Sequence, residues 1–164
     1  SYASKLRPRR CVRRRVRRSA PTTGDHGRMS RRGTLHHLEL WVPDLARAEA
    51  SWGWLLQRLG YTLDGSWAAG RTWLLGTAYV SIESGPDVLA EPHERTRPGM
   101  NHVAFWAGNR AEVDDLVVES GHHGWTLLFA DRHPYAGGPE HYAAYLADPD
   151  GYEVELVADP LAIA

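Results

Sequence analysis

The chain carries one short strand pattern twice. The first copy reads His37-Leu-Glu-Leu-Trp41 and the second His102-Val-Ala-Phe-Trp106, and the two copies lie 65 residues apart. In each copy large apolar side chains occupy every second position, which is the period of a β-strand with one face in a core. The histidine and the tryptophan fall on the opposite face in both copies. This shared parity predicts an internal repeat that places one histidine per copy on corresponding faces.

The residues after the first copy predict a helix and then three short strands. Pro43-Asp44 ends the strand and caps a helix whose apolar stripe runs from Leu45 to Leu59, where Gly60 stops it. Strands are predicted near 61–64, 72–75 and 78–83. Residues 34–84 therefore read as a first module with the order βαβββ.

The second half repeats this order after a linker rich in proline and glycine, residues 84–99. Asn109 and Glu112 have the spacing of a capping box, and the helix that they open should end at Gly121. Strands are predicted near 125–130, 142–147 and 152–158. The second module thus spans 99–158, and residues 34–160 are predicted to form one α+β domain of paired modules.

The last predicted strand supplies a carboxylate to the face of the histidines. In Asp148-Pro-Asp-Gly-Tyr-Glu-Val-Glu155 the apolar residues face the core, so Glu155 projects the same way as His37 and His102 if the two sheets correspond. Two histidines and a carboxylate are a common ligand set for a divalent metal with open coordination positions. A carboxylate on such a face also needs a positive partner, because burial of an unpaired charge is costly. These three residues are the predicted metal ligands. His36 competes with His37, but its parity turns it toward the helix.

The motifs "HHLELWVPDL", "GMNHVAFWAG" and "DPDGYEVELV" resemble those of the vicinal oxygen chelate superfamily, the glyoxalase, bleomycin-resistance and extradiol-dioxygenase group. The resemblance covers residues 34–158. It implies paired βαβββ modules that form a cup-shaped mixed β-sheet, with a divalent metal held by His37, His102 and Glu155. It also implies that the metal presents open positions to vicinal oxygens of a small substrate. Fe, Zn, Ni and Mn all remain candidates for the metal.

Three further residues are candidates for catalysis. The resemblance implies a second carboxylate at Glu83, as a fourth ligand or a proton-exchanging group, against the simpler interpretation of a solvated charge at a strand end. Tyr145 stands where the extradiol signature has a tyrosine that hydrogen-bonds the substrate, although Ala144 and the spacing of the nearby histidines depart from that signature. His141 is a candidate acid or base. It ends a long polar loop, residues 131–141, with the glycines typical of a lid.

Function is therefore expected to be that of a metal-dependent enzyme, with lyase, isomerase or ring-cleaving dioxygenase chemistry on a small oxygenated molecule. The alternative is a small-molecule binding protein of the bleomycin-resistance kind, which the resemblance implies would have lost its metal ligands. In this superfamily a chain with two modules either forms the complete site by itself or shares the site with a partner subunit. The sequence does not decide between these two arrangements. A homodimer is expected.

Charge and composition limit other partners. Residues 1–33 hold 12 of the 19 Lys and Arg and a single acid, whereas the remainder has a net charge of −12. The Arg-rich stretch 7–18 has no helical or strand period and is predicted to be disordered. The acidic domain disfavours nucleic acid as a partner. Met29 resembles a second start, so residues 1–28 could be a non-native extension, and a tail that folds back on the domain is the alternative.

Neither a membrane nor an oxidising compartment is indicated by the sequence. No apolar run approaches the roughly 18 residues of a spanning helix. Cys11 is the single cysteine, so the chain cannot form an internal disulfide. A cytoplasmic location is the resulting expectation.

Overall fold

A computed structural model describes residues 31–89 and 91–162 of the chain. The residues from Thr34 onward form one compact unit, which contains every helix and strand reported below. The Arg-rich stretch 7–18, predicted to be disordered, lies outside the described residues. None of the described helices is both long and apolar enough to cross a membrane.

The first module has the predicted order of elements. The Asp44 carboxylate caps the helix by accepting the N–H of Arg47 at 3.0 Å, which explains why the helix begins directly after Pro43-Asp44. β2 and β3 are longer than the sequence predicted, while β4 has the predicted bounds. The elements are β1 (His37–Trp41), α1 (Leu45–Arg58), β2 (Thr62–Trp67), β3 (Gly70–Leu75) and β4 (Ala78–Glu83).

The second module repeats the order with one addition. The predicted capping box is present, since Asn109 and Glu112 each accept the other's backbone N–H through their side chains. A 3₁₀-helix, Gly121–His123, extends the helical segment by one turn. The other elements are β5 (Val103–Trp106), α2 (Arg110–Ser120), β6 (Thr126–Leu128), β7 (Ala143–Ala147) and β8 (Glu153–Val157).

The strands form two separate four-stranded sheets with the same topology. Their orders are β1-β4-β3-β2 and β5-β8-β7-β6, and in each the first pair is parallel and the other two pairs are antiparallel. The α+β fold of paired βαβββ modules is therefore confirmed. The predicted mixed sheet is split in two, because each described strand pairs only with strands of its own module.

One hydrophobic core serves both modules. It includes apolar residues of both sheets and of α1 and α2. Trp52 of α1 packs edge to face on Trp125 of the second module, with ring centroids 5.3 Å apart, and Trp125 donates its indole N–H to the Ser51 carbonyl at 3.2 Å. The predicted parity holds on both first strands, because Leu40 is buried whereas Trp41 and Trp106 are 42% and 69% exposed. The histidine-bearing faces are thus turned away from the shared core.

Candidate functional site

Glu155 is the centre of a polar cluster on the face of the second sheet opposite the core. Its Oε2 lies 3.2 Å from Nε2 of His102, and its Oε1 lies 2.5 Å from Nε2 of His141. The Tyr145 hydroxyl donates to the same Oε1 at 2.7 Å. The residue before β5, a residue of β7 and the end of the loop before β7 therefore each place one polar group at the carboxylate that β8 carries. Glu155 itself is only 7% exposed.

The strand register explains why these side chains meet. Glu155 stands opposite Ala104 of β5 and Tyr145 of β7, so tyrosine and carboxylate are direct cross-strand neighbours on one face. His102 lies on that same face because it is two residues before Ala104. His141 reaches the cluster from the end of the 131–141 loop, just before β7 begins.

Burial and hydrogen bonding act in opposite directions on the Glu155 carboxyl. Burial alone raises its pKa, but the hydrogen bonds from Tyr145 and His141 and the positive charge that His141 and His102 can carry outweigh burial, so the pKa lies below its usual value. Burial together with the hydrogen bond to Glu155 raises the pKa of Tyr145 to about 12. At neutral pH the site therefore contains an ionised carboxylate and a protonated phenol.

His37, the third predicted ligand, lies on the other sheet. Its ring stacks on Tyr79 with centroids 4.8 Å apart, and its Nδ1 lies 2.8 Å from Nδ1 of His36. Within residues 31–89 and 91–162, no group of three or more His, Cys, Asp or Glu side chains is arranged to hold a metal ion. A single chain thus brings two of the three predicted ligands together, and the predicted convergence of all three inside one sheet is not seen.

Glu83 lies two residues beyond Ser81, the position in the first sheet that corresponds to Glu155. In the second sheet Glu155 pairs with Ala104, which lies two residues after His102. In the first sheet the residue two after His37 is Glu39, and it pairs with Ser81. Glu83 instead pairs with Trp41 at the end of β4. Burial first, and then the charge of Glu39, raises its pKa. Its catalytic role therefore stays a prediction, and the residue at the corresponding position is a serine.

The 131–141 loop packs over the cluster. Successive backbone hydrogen bonds fold the loop into turns, beginning where the Phe129 carbonyl accepts the N–H groups of Arg132 and His133. A Cβ added to Gly137 would lie only 2.6 Å from the Tyr145 hydroxyl oxygen. Glycine is thus the residue that lets the backbone pass close to the site. The predicted position of this loop as a cover is consistent with that contact.

A cavity of about 580 Å³ adjoins the cluster. Trp106 and His141 line it together with the start of α2, including Arg110. Trp106 pairs with Val157. This pair lies two residues further along both strands than the Ala104–Glu155 pair, so it is on the same face of the sheet. An aromatic wall, a guanidinium and the His141 imidazole therefore border one volume that is large enough for a small molecule.

Two residues near the site were missed from the sequence: Arg95 in the linker between the modules, and Asn101 just before β5. Arg95 places its guanidinium 2.9 Å from the buried carboxylate of Glu153, and Asn101 contacts the ring of His102 at 2.8 Å. Adjacency to His102 was a usable signal for Asn101. Nothing in the sequence marked Arg95, because only the path of the linker across the second module brings it to β8.

Comparison with known proteins identifies a superfamily and a similar bacterial protein. The profile of the glyoxalase/bleomycin resistance protein/dioxygenase superfamily matches residues 36–145. The protein YqjT of Bacillus subtilis, described as uncharacterized, is 41% identical over 125 residues, which cover 76% of this chain and 98% of that protein.

Solved structures show the same fold. The crystal structure of a "putative glyoxalase" from Bacillus halodurans is 40% identical and superposes with a TM-score of 0.75, covering 79% of this chain and 98% of that one. The fosfomycin resistance protein FosX of Listeria monocytogenes, crystallised with Mn(II) and sulfate, is 23% identical with a TM-score of 0.57, covering 79% and 92%. At that identity, the second likeness concerns the fold alone.

Proposed function

Because the chain belongs to the glyoxalase/bleomycin resistance protein/dioxygenase superfamily, we propose that it is a divalent-metal-dependent enzyme that acts on a small oxygenated molecule. The observation that supports this most is the Glu155 cluster. One buried carboxylate has a histidine nitrogen at each oxygen and a phenol at one of them. Such a combination of ligand atoms and proton-holding groups on one face is typical of a catalytic site.

The residues present fit a divalent metal. His102 and Glu155 offer one nitrogen and one oxygen 3.2 Å apart. With His37 as a second histidine, they would complete a set that suits Zn, Fe, Ni or Mn. An ionised carboxylate that is 7% exposed is also better stabilised beside a cation than without one. When bound, the metal would act as a Lewis acid toward the oxygens of a substrate.

The third ligand is proposed to come from a second copy of the chain. His37 lies on a face turned away from the core, as does the His102 and Glu155 pair on the other sheet. Pairing of these two faces between copies would bring His37 of the partner subunit to the His102 and Glu155 pair. The expected homodimer then has a functional reason, because each site would be incomplete without the partner.

Proton transfer is assigned to the chain's own residues. His141 holds a proton on Nε2, shared with Oε1 of Glu155, and its ring also lines the cavity, so it can deliver that proton to a substrate there. Tyr145 keeps its proton at all physiological pH values because its pKa is about 12. It is therefore a hydrogen-bond donor that fixes the carboxylate and does not act as a base. Lyase or isomerase chemistry, which needs proton transfer and no oxidant, agrees best with this set.

Metal content tests the proposal. The full chain, purified without an affinity tag under anaerobic conditions, is expected to hold close to one of the ions Fe, Zn, Ni or Mn per site by elemental analysis. His102→Ala should abolish that binding with little loss of fold, because His102 lies on an exposed strand end. His122→Ala, at an exposed position of the 3₁₀-helix, is the matched control and should retain the metal.

The alternative function is that of a small-molecule binding protein without catalysis. It is favoured by one observation: the described part of a single chain assembles no three-ligand set. Failure of the wild-type chain to bind any added divalent ion would support this alternative. Equal metal content in wild type and His102→Ala would contradict the assigned site while leaving metal binding elsewhere.

A further inference from the structure

The residue before the proposed ligand His102 contacts its ring. Oδ1 of Asn101 lies 2.8 Å from Nδ1 of His102. On its other side the Asn101 amide nitrogen donates to the Arg95 carbonyl at 3.0 Å. The carboxamide therefore bridges the linker backbone and the imidazole.

These two contacts fix the orientation of the carboxamide. A carbonyl oxygen is only an acceptor, so the group that faces the Arg95 carbonyl must be the NH₂ of Asn101. The oxygen of Asn101 must then face His102, and this oxygen also is only an acceptor. The Nδ1 of His102 is consequently the ring nitrogen that bears the hydrogen, which leaves Nε2 with a free electron pair in the neutral ring.

The electron pair of Nε2 points toward a carboxylate. Nε2 lies 3.2 Å from Oε2 of Glu155, and two such groups attract each other only through a proton or a cation between them. Building on the function proposed above, we propose that Asn101 is a positioning residue that fixes the tautomer of His102 and so prepares Nε2 and Glu155 to bind a divalent cation. Hydrogen bonds of this kind to the second nitrogen of a ligand histidine orient the ring and raise its basicity.

The linker is anchored where it supports Asn101. Nη1 of Arg95 lies 2.9 Å from Oε2 of Glu153, which is 2% exposed, and its guanidinium lies 5.6 Å from the centroid of the Phe129 ring. The carbonyl that orients Asn101 thus belongs to a residue held by the second sheet itself. Tyr145 limits the His102 ring from another side, edge to face at 6.0 Å.

Metal affinity of variants at this position is the first test. Mn²⁺ and Zn²⁺, each added alone to the metal-free full chain, are titrated by calorimetry. Asn101→Leu removes the acceptor at nearly constant volume and is expected to weaken binding by about 10- to 100-fold. Asn101→Asp keeps an oxygen toward Nδ1 and should stay much closer to wild type. Glu94→Gln changes the same linker at an exposed position whose side chain contacts Thr96, and should have no effect.

The tautomer itself is the second test, and it needs no metal. Long-range ¹H–¹⁵N spectra of the metal-free protein, recorded well above the ordinary histidine pKa of about 6.5, report which nitrogen of His102 bears the hydrogen. The expected result is hydrogen on Nδ1 in wild type and Asn101→Asp, and loss of that preference in Asn101→Leu. Unchanged circular dichroism of Asn101→Leu would show that the fold is intact.

The two tests separate this inference from the proposed function. If wild type binds no divalent ion, the proposed function fails, and the spectra alone decide the inference. Hydrogen on Nε2 in wild type would overturn it in either case. Metal binding in wild type with an equal affinity in Asn101→Leu would overturn the role of Asn101 and leave the metal site standing.

Discussion

At Glu155 burial and hydrogen bonding together set the protonation of a carboxyl and a phenol. Its carboxylate accepts the Tyr145 hydroxyl and lies beside two imidazole nitrogens, and the structure gives the consequences as opposite pKa shifts on acid and phenol. The shifts are linked because a hydrogen bond to the ionised form lowers the pKa of the acceptor and raises that of the donor. Removal of one partner should therefore move the pKa of the other.

The Tyr145 phenol should titrate well above an ordinary tyrosine. Its pKa of about 12, against the usual 10.0, means that the folded protein holds this proton more tightly than the unfolded chain does. The resulting contribution to stability is complete below the unfolded value and is lost as the pH rises through about 12. The ¹³Cζ shift of Tyr145, assigned by its absence in Tyr145→Phe, is expected to titrate near that value.

The same variant tests the coupling to the carboxylate. In the metal-free protein, Tyr145→Phe should raise the pKa of Glu155, because a hydrogen bond that lowers this pKa is lost. Tyr135→Phe is the matched control, since Tyr135 is 43% exposed, its ring packs on Tyr142, and the hydrogen bonds to Glu155 come from Tyr145 and His141. A Tyr145 midpoint at the ordinary value, or an unchanged Glu155, would show that the hydrogen bond is not formed in solution.

Among the elements, the turn between β7 and β8 joins three parts of the chain. Its first residue, Asp148, accepts the N–H groups of Asp150 and Tyr152 through one oxygen and the indole N–H of Trp52 through the other. Its last, Gly151, has a φ of +87° and lies against the carbonyl of His93 in the linker. This turn, whose first acid caps two backbone amides, therefore also docks α1 and the linker.

Gly151 is the position at which this docking is most sensitive. A Cβ at Gly151 would lie 2.2 Å from the His93 carbonyl oxygen, which is backbone and cannot move aside cheaply, and the positive φ adds strain. Gly151→Ala is therefore expected to lower the free energy of unfolding by about 2 kcal/mol or more, measured by urea denaturation.

Gly121 offers a matched control for that substitution. It has a φ of −60° and nothing within 4 Å of an added Cβ, so Gly121→Ala should be neutral or stabilise by a few tenths of a kcal/mol to about 1 kcal/mol. Equal unfolding midpoints for Gly151→Ala and wild type would mean that the linker does not press on the turn. The contact between Gly151 and His93 would then not help to hold the linker, and with it Arg95 and Asn101, in place.

For the whole molecule, the arrangement of the two sheets is the decisive feature. Both apolar faces contribute to one core, so the faces with His37 and with His102 are turned outward. Trp106, 69% exposed, and Trp41, 42% exposed, lie on these same faces. Exposed tryptophans beside polar functional groups are typical of surfaces that another chain or a ligand covers.

A site shared between copies makes a distinctive prediction. His37→Ala and His102→Ala should each abolish metal binding, yet mixing them through a refolding step should restore it, because a mixed dimer has one site with both histidines intact. Random pairing is expected to restore about a quarter of the wild-type sites. Light scattering should show the dimer in every sample.

Two outcomes would contradict the shared site. A monomer at micromolar concentration would exclude a partner's contribution. Metal binding in His37→Ala equal to that in wild type would show that His102 and Glu155 hold the ion without His37, with His141 as the remaining histidine at that carboxylate. The complementation experiment is informative because a site contained in one chain cannot be restored by mixing.

The strand parity, the helix caps and the order of the elements are determined by local sequence. The β1 and β5 parity, the Asp44 cap, the capping box at Asn109 and the turn before β8 all follow from the period of side chains and from hydrogen bonds over a few residues. Such signals need no knowledge of the rest of the chain. They predicted the paired modules, and they placed His102 and Glu155 on one face, where the structure brings them together.

Only the tertiary structure shows how the two sheets are placed around the core and which distant residues meet. Strand parity gives the face on which a side chain lies, but it does not give the direction in which that face points once two sheets share a core. The separation of His37 from the other predicted ligands, the presence of Ser81 at the position corresponding to Glu155, and the contact of Arg95 with Glu153 depend on register and on the path of the linker. These are set by packing between residues far apart in sequence, so no local pattern encodes them.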